Sequence, residues 1–409
     1  MGGDTQEEFT MNKKMVKAAG LTALSAVVMM TGCGKINSNE TLVTIKTEDG
    51  TKDTISLGYG NFVARYQQAM YDQYLLAYYG EDMWKSDMSG SGSTLQEDTK
   101  DGVLEDMEAQ YLAKVHASDY GVEISKDQKN DIAEAAKKFI SDNDKESLKA
   151  MGATEEYVKE YLEYRTYYAL VSEAAKDASD ADIKDEDCWM RSFSYVLFDT
   201  TGKTDADGNK TDLTDDEIAE MKTQAKELST SEDFDAKVEE LGLTTQNFSY
   251  LKGESEDETM DMSVIKEAEK LKEGEQSGVI VVEGTGMYVI KLTSDHDEDA
   301  SNSKRESLQG EAFDKLMEQW KEAITWKVND KAWEKVQFDS LFKAPETKED
   351  SKEDSKETEA TTAPEESTDA TEETTEESTE ETEDTTADGE TEETSEETSD
   401  ETTDETEAE

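Results

Sequence analysis

Apolar and polar residues alternate through Leu42-Val43-Thr44-Ile45-Lys46 and again through Thr54-Ile55-Ser56-Leu57, with Asp49-Gly50 between them. Period-two spacing around such a dipeptide predicts a β-hairpin. The period then lengthens. Phe62, Tyr66, Met70, Tyr74 and Tyr78 recur at near-helical spacing, and residues 86–98 form a polar Ser/Gly loop. Three more helical stripes follow: Leu104, Met107, Tyr111 and Val115; Ile132, Ala136 and Phe139 after Ser125; and Tyr157, Tyr161, Tyr164, Tyr168 and Val171 after Thr154, which suits an N-cap. The tyrosine stripe reads first as packing between helices and second as a surface that holds peptides, because tyrosine joins a large apolar face to a polar tip.

From Ser192 the pattern changes character. Ser192–Phe198 is strand-like, 200–213 is a polar loop around Asp207-Gly208, and Thr214-Asp215-Asp216-Glu217 fits a capping box that opens a helix to about Leu228. A helix over 232–241, a strand over 247–251, a helix over 263–271 and strands over 278–282 and 286–292 complete a β-α-α-β-α-β-β order. A long helix then carries Leu308, Phe313, Leu316, Trp320 and Ile324, with Trp326, Trp333, Val336 and Phe338 behind it. The fold class is α+β: a helical body made from the two ends of the chain, with the β-α-α-β-α-β-β unit inserted between them.

The N-terminal region carries a different signal. Lys13, Lys14 and Lys17 precede an uncharged run from Ala18 to Met30, followed by Thr31-Gly32-Cys33. A basic head, a short apolar run and small residues before a cleavage point describe a secretory signal, and the run is too short for a comfortable bilayer span. Residues 1–10 are acidic and misplaced for such a signal, so Met11 reads as the true start. The ending is similar to a lipobox, with Met30 where leucine is usual. That resemblance implies cleavage before Cys33 and lipidation of its thiol, and so attachment to a membrane, since two acyl chains anchor stably where one is marginal. Only Cys188 remains beyond Cys33, so the body is expected to have no internal disulfide.

Charge sets the far boundary. The 409 residues carry a formal charge of −60, and from Pro345 to Glu409 there are 30 acidic residues against 3 basic ones and no Leu, Ile, Val, Phe, Met or aromatic residue. Such a segment cannot bury enough apolar surface to offset its chain entropy and is expected to be a disordered, solvated tail. The overall acidity argues against nucleic-acid binding, which requires basic groups to replace phosphate counterions. Both prolines, Pro345 and Pro364, fall in this tail.

Several stretches between about 55 and 340 resemble the PrsA/SurA type of extracytoplasmic foldase. They are Ala109-Gln110-Tyr111-Leu112-Ala113-Lys114 through Tyr120-Gly121-Val122-Glu123-Ile124-Ser125; Thr154-Glu155-Glu156-Tyr157 with Tyr161-Leu162; Leu271-Lys272-Glu273-Gly274-Glu275-Gln276-Ser277; and Gly286-Met287-Tyr288-Val289-Ile290-Lys291-Leu292. The resemblance implies a SurA/PrsA-like helical chaperone body with an inserted parvulin-like domain. It implies this division: 1–32 signal region, 33–41 lipidated tether, 42–185 N-terminal helical segment, 186–297 parvulin-like domain, 298–342 C-terminal helical segment and 343–409 acidic tail. Unfolded or newly secreted polypeptides are the implied partners, on the outer face of a bacterial cytoplasmic membrane. No cofactor and no metal are implied, and the oligomeric state is open.

The departures from the family pattern fall at its active site. Where active parvulins read like Ala-Ser-His-Ile-Leu, this chain has Phe193-Ser194-Tyr195-Val196-Leu197, and Tyr288 stands at the second histidine. Thr245-Gln246-Asn247-Phe248 replaces a Gly-Asp-Leu-Gly stretch, and Val264 falls near a pocket phenylalanine. Phe248, Tyr250, Met262 and Val264 are therefore the expected substrate contacts. Isomerising an Xaa-Pro bond means lowering a barrier of roughly 20 kcal/mol. Tyr195 and Tyr288 could hydrogen-bond to each other and keep the centre's shape as neutral groups. Three readings stay open: a chaperone or foldase, an active prolyl isomerase with an altered site, and a structural or adhesive surface lipoprotein. The two histidines, His116 and His296, lie elsewhere, and Asp295-His296-Asp297-Glu298-Asp299 reads as a solvated loop rather than a metal site. Asp205-Ala206-Asp207-Gly208-Asn209 does not keep calcium-loop spacing.

Overall fold

The computed structural model describes residues 25–27, 36–48, 50–204 and 210–343. Cys33, residues 205–209 and the acidic segment beyond 343 lie outside them. A short strand, β1 (Ser25–Val27), falls within the segment read as a signal. The expected hairpin forms as β2 (Thr41–Thr47) and β3 (Lys52–Ser56), antiparallel with Val43 opposite Ile55. Gly50 holds φ at 86° in its turn, a conformation open mainly to glycine.

Helix boundaries follow side-chain caps. Ser56 accepts from the Tyr59 amide at the start of α1 (Leu57–Tyr79), which buries Phe62, Tyr66 and Ala69. A complete Thr94–Glu97 capping box starts α2 (Leu95–His116), so the Ser/Gly loop ends four residues earlier than its composition suggests. Ser125 and Gln128 cap α3 (Lys126–Asp142) in the same way. A short helix not foreseen, α4 (Lys145–Met151), follows with Asp144 as its N-cap. Thr154 caps α5 (Glu155–Ser179) as its position suggests. Each such cap is worth about 1 kcal/mol. On α5 Tyr161 is buried and Tyr157 and Tyr164 pack partly against the same core, so most of the tyrosine stripe serves helix packing. Tyr168 remains exposed, with its ring edge on Phe313.

The inserted unit opens with β4 (Met190–Asp199). A two-stranded ribbon, β5 (Lys203–Thr204) and β6 (Lys210–Thr211), brackets the polar loop. Then come α6 (Asp215–Ser229) with the expected Thr214–Glu217 box, α7 (Phe234–Glu240), β7 (Gln246–Leu251), α8 (Met262–Ala268), β8 (Ile280–Val282) and β9 (Gly286–Ser294). Four strands form an antiparallel sheet in the order β7-β4-β9-β8. One face packs on α6 and α7 through Val196, Phe198, Leu228, Phe234 and Val289; the other carries α8. Gly286 is obligatory: at φ 150° an added Cβ would sit 2.1 Å from the Phe198 carbonyl oxygen.

Asp297 then caps α9 (Glu298–Glu322). The helix stops before Ile324, which instead begins β10 (Ile324–Val328), paired with β2 so that Trp326 faces Ile45. The C-terminal segment is thus not purely helical. Trp320 and Ile324 are four apart and mimic a continuing helix, while the alternation Ile324, Trp326, Val328 is strand-like. A short helix, α10 (Asp330–Trp333), and β11 (Leu341–Lys343), which pairs with β1, end the described chain. The largest core draws on both ends of the body: Leu42, Ile45, Phe62, Phe139 and Tyr161 pack with Trp333, Val336 and Phe342. Buried polar side chains tie the ends together. Arg65 donates to the carbonyls of Gln337 (2.6 Å) and Ser340 (3.1 Å), and Lys100 to those of Trp333 and Val336 (3.0 Å each). Cys188 is a free, buried thiol. No helix of the described residues is long and apolar enough to cross a membrane.

Candidate substrate-binding face

Alternation along β4 places Phe193, Tyr195 and Leu197 on the α8 side of the sheet. Antiparallel register sets their neighbours: Phe193 faces Phe248, Tyr195 lies between Gln246 and Ile290, and Leu197 faces Tyr288. Tyr195 and Tyr288 are therefore diagonal neighbours, close enough for large rings to touch. Their centroids lie 5.7 Å apart at 39°. The expected hydrogen bond between the phenols is replaced by another. The Tyr195 hydroxyl donates to Gln246 Oε1 at 2.7 Å. Tyr288 is buried, and burial, followed by the nearby Tyr195, Asp261 and Asp199, pushes its hydroxyl above the usual phenol range. It stays protonated at neutral pH.

The four expected contact residues separate into two pairs. Tyr250 (1% exposed) and Val264 (0%) belong to the core beneath the face. Phe248 and Met262 remain half-buried beside Tyr195, Leu197 and Leu271. Phe193 links them, with its ring 5.6 Å from Phe248, 5.8 Å from Tyr250 and 6.0 Å from Tyr195. The reachable surface is thus an aromatic and aliphatic rim around one polar contact, Tyr195–Gln246.

Sequence reasoning missed Arg191. It is 3% exposed and holds α8 to the sheet: Nη1 donates to Tyr250 Oη (3.1 Å), Glu269 (3.1 Å) and the Ala268 carbonyl (3.3 Å), while Nη2 reaches the Leu271 carbonyl (2.7 Å) and Asp295 (2.8 Å). The only hint was an arginine at the head of an apolar strand. Burial pushes the Tyr250 hydroxyl up to about 12, against the lowering effect of Arg191. Both histidines lie off this face. His116 stacks on Trp320 at 4.2 Å with Nδ1 2.8 Å from Asp119, and His296 stacks on Trp189 at 4.2 Å. The loop 295–299 is more than solvated: Asp295 pairs with Arg191, and Asp297 caps α9 and accepts from Ser192.

Two curated relatives match this chain, both foldase protein PrsA of Clostridium botulinum. The strain 657 / Type Ba4 protein is 26% identical over 275 residues, covering 62% of this chain and 79% of the relative. The Loch Maree / Type A3 protein is 25% identical over 276 residues, with the same coverage. Among solved structures, foldase protein PrsA from Lactococcus lactis aligns over 73% of this chain and 98% of its own, at 14% identity and a TM-score of 0.29. A SurA-like chaperone structure from Campylobacter jejuni aligns over 71% and 99%, at 11% identity and a TM-score of 0.24. No protein-family model matches. The curated relatives support a foldase of the PrsA/SurA type.

Proposed function

We propose that this chain is a lipid-anchored extracytoplasmic chaperone or foldase whose sheet face holds unfolded or newly secreted polypeptides. The observation that carries this reading is the make-up of the face: Tyr195, Leu197, Phe248, Met262 and Leu271 around one polar contact, with no imidazole. Such a surface binds apolar segments with little sequence demand, because burial of apolar area is non-directional. In this reading residues 42–185 and 298–342 form the chaperone body, 186–297 is the parvulin-like domain, and Cys33 carries the lipid. The positions expected for two catalytic histidines are filled by Tyr195 and Tyr288, which bind and orient rather than exchange protons.

The second reading, an isomerase with an altered site, is favoured by the Tyr195–Gln246 hydrogen bond, which keeps a polar centre beside an apolar rim. A protease-coupled Xaa-Pro peptide assay on the full chain separates the two. We expect no acceleration over buffer, alongside suppression of aggregation of an unfolded client that weakens in Phe248→Asp and Met262→Asp. Acceleration that disappears in both Tyr195→Ala and Tyr288→Ala would establish the isomerase instead. Failure to protect several different clients would leave a structural or adhesive role.

A further inference from the structure

Among the described residues, β11 has a single strand partner, the chain's own N-terminal segment β1. The pair is antiparallel, with Ser25 opposite Lys343, Ala26 opposite Phe342 and Val27 opposite Leu341. The Phe342 amide is turned the other way and donates to Asp72 Oδ2 at 2.9 Å. Hydrogen-bonded and non-bonded pairs alternate along an antiparallel ladder, so Leu341 and Lys343 are the residues that present N–H and C=O groups to β1. β1 lies between β11 and α4, and both of these pack on α1.

This slot is built without its occupant. Arg65, Gln68 and Asp72 of α1 bond the backbone of Gln337, Ser340 and Phe342, and the Phe342 side chain is fully buried in the main core. None of these ties uses β1. Removing β1 therefore leaves β11 in place with the backbone groups of two residues bare, and a bare edge is a template for another chain. The occupant shows what fits: Ala18–Met30 is uncharged, has no aromatic residue and is made of small and aliphatic side chains. The direction of pairing points to a further contact. Residues 337–342 run along α1 from Arg65 to Asp72, so the residues before an added strand pass beyond Lys343 toward the end of α1. There Tyr79, seven residues after Asp72 and on the same helix face, is 57% exposed.

We infer that β11 is a strand-addition site for an uncharged, extended segment of a client polypeptide, filled by the chain's own leader until that leader is removed. In strand addition the main-chain hydrogen bonds supply the affinity, so sequence demand is low. The site uses no residue of the aromatic sheet face. That it opens in the processed protein rests on the proposed cleavage before Cys33; its existence does not, and the test is made on the unprocessed chain.

Two forms of the full chain are compared, both carrying Cys33→Ser to prevent processing. One also carries Ser25→Pro and Val27→Pro, which remove the two β1 amides that face β11 and so free the slot. The probe is a fluorescent peptide of residues 21–30 with a short ethylene-glycol end for solubility, read by anisotropy. We expect the proline form to bind it at least about tenfold more tightly than the parent, where the tethered leader competes at an effective concentration of the order of 1 mM. Methylating the peptide's Val27 amide removes a hydrogen bond and sets a methyl against β11, which should weaken binding about tenfold; methylating its Ala26 amide, which points away from β11, should not. Tyr79→Ser should weaken binding while circular dichroism stays unchanged. No binding to the proline form, equal binding to both forms of the chain, or equal binding of the two methylated peptides overturns the inference. So does binding that disappears in Phe248→Asp, which would place the peptide on the sheet face and leave the proposed function standing.

Discussion

Asp72 offers the sharpest test of how the two ends of the chain are joined. It lies in the middle of α1, 2% exposed, and its carboxylate faces three donors: Trp84 Nε1 (2.8 Å), the Phe342 amide (2.9 Å) and Gln68 Nε2 (3.2 Å). Burial nevertheless dominates and pushes the carboxyl up from 3.8 to about 6, against the lowering effect of those hydrogen bonds and of Arg65. Because the folded value lies above the unfolded one, the native state binds more protons between about pH 4 and pH 6. Stability from this group is fully present below that window and falls as pH rises through it. A shift of about two units corresponds to about 3 kcal/mol. Asp72→Asn removes the titration and sets an amide N–H against at least one donor, at a cost of about 1–3 kcal/mol. The variant is therefore more destabilised, relative to the native protein, at pH 4.5 than at pH 7.5. Urea unfolding of both proteins at the two pH values, followed by tryptophan fluorescence, measures the difference. A gap that is equal at both pH values, or wider at pH 7.5, refutes the argument that burial outweighs the donors.

Two further substitutions test the inserted unit. Arg191→Met removes the hydrogen bonds from β4 to Tyr250 and to the carbonyls of Ala268 and Leu271, while the partly exposed Glu269 and Asp295 rehydrate, so we expect a loss of about 1–3 kcal/mol. Limited proteolysis should then cut between 252 and 275 first, and an unchanged cleavage pattern would show that the clamp is dispensable. Gly286→Ala drives a methyl into the Phe198 carbonyl and should cost well over ~1 kcal/mol; an unaltered melting temperature would contradict the β4–β9 register.

The local grammar of the chain was largely readable in the sequence, because it rests on contacts a few residues apart. Ser125, Thr154 and Thr214 begin helices where their spacing says they should. Alternation alone puts Tyr195 on a sheet face, and the β-α-α-β-α-β-β order follows from the change of period. What was not readable depends on distant partners. The strand from Ile324 to Val328 exists because β2, nearly 280 residues earlier, offers its free edge. Tyr250 and Val264 look like contact residues in the sequence, yet the seat of α8 on the sheet buries them, and Arg191, far from both in sequence, fixes that seat. Gln246 gains its role only through its register opposite Tyr195.

The same logic explains why the described body can carry its insert in a fixed pose with no disulfide. Arg65, Gln68, Asp72 and Lys100 spend their polar groups on the backbone of residues 333–342. Buried polar and charged groups satisfied largely by backbone partners add little net stability, but a slip of one residue would leave them unpaired at a cost of several kcal/mol. These groups therefore fix register, holding the C-terminal strand and helix to α1 and α2 at one alignment. Where the chain enters and leaves the insert, Trp189 donates to the Asp295 carbonyl at 2.8 Å, and Arg305 of α9 pairs with Asp180 (3.0 Å) and Asp185 (2.7 Å). Arg191 reaches Asp295 from the sheet side. The two crossings are thus tied to each other, to α9 and to the clamp under α8. A face that must hold flexible chains by weak apolar contact gains most from such a frame, since ordering the surface beforehand lowers the entropy lost on binding.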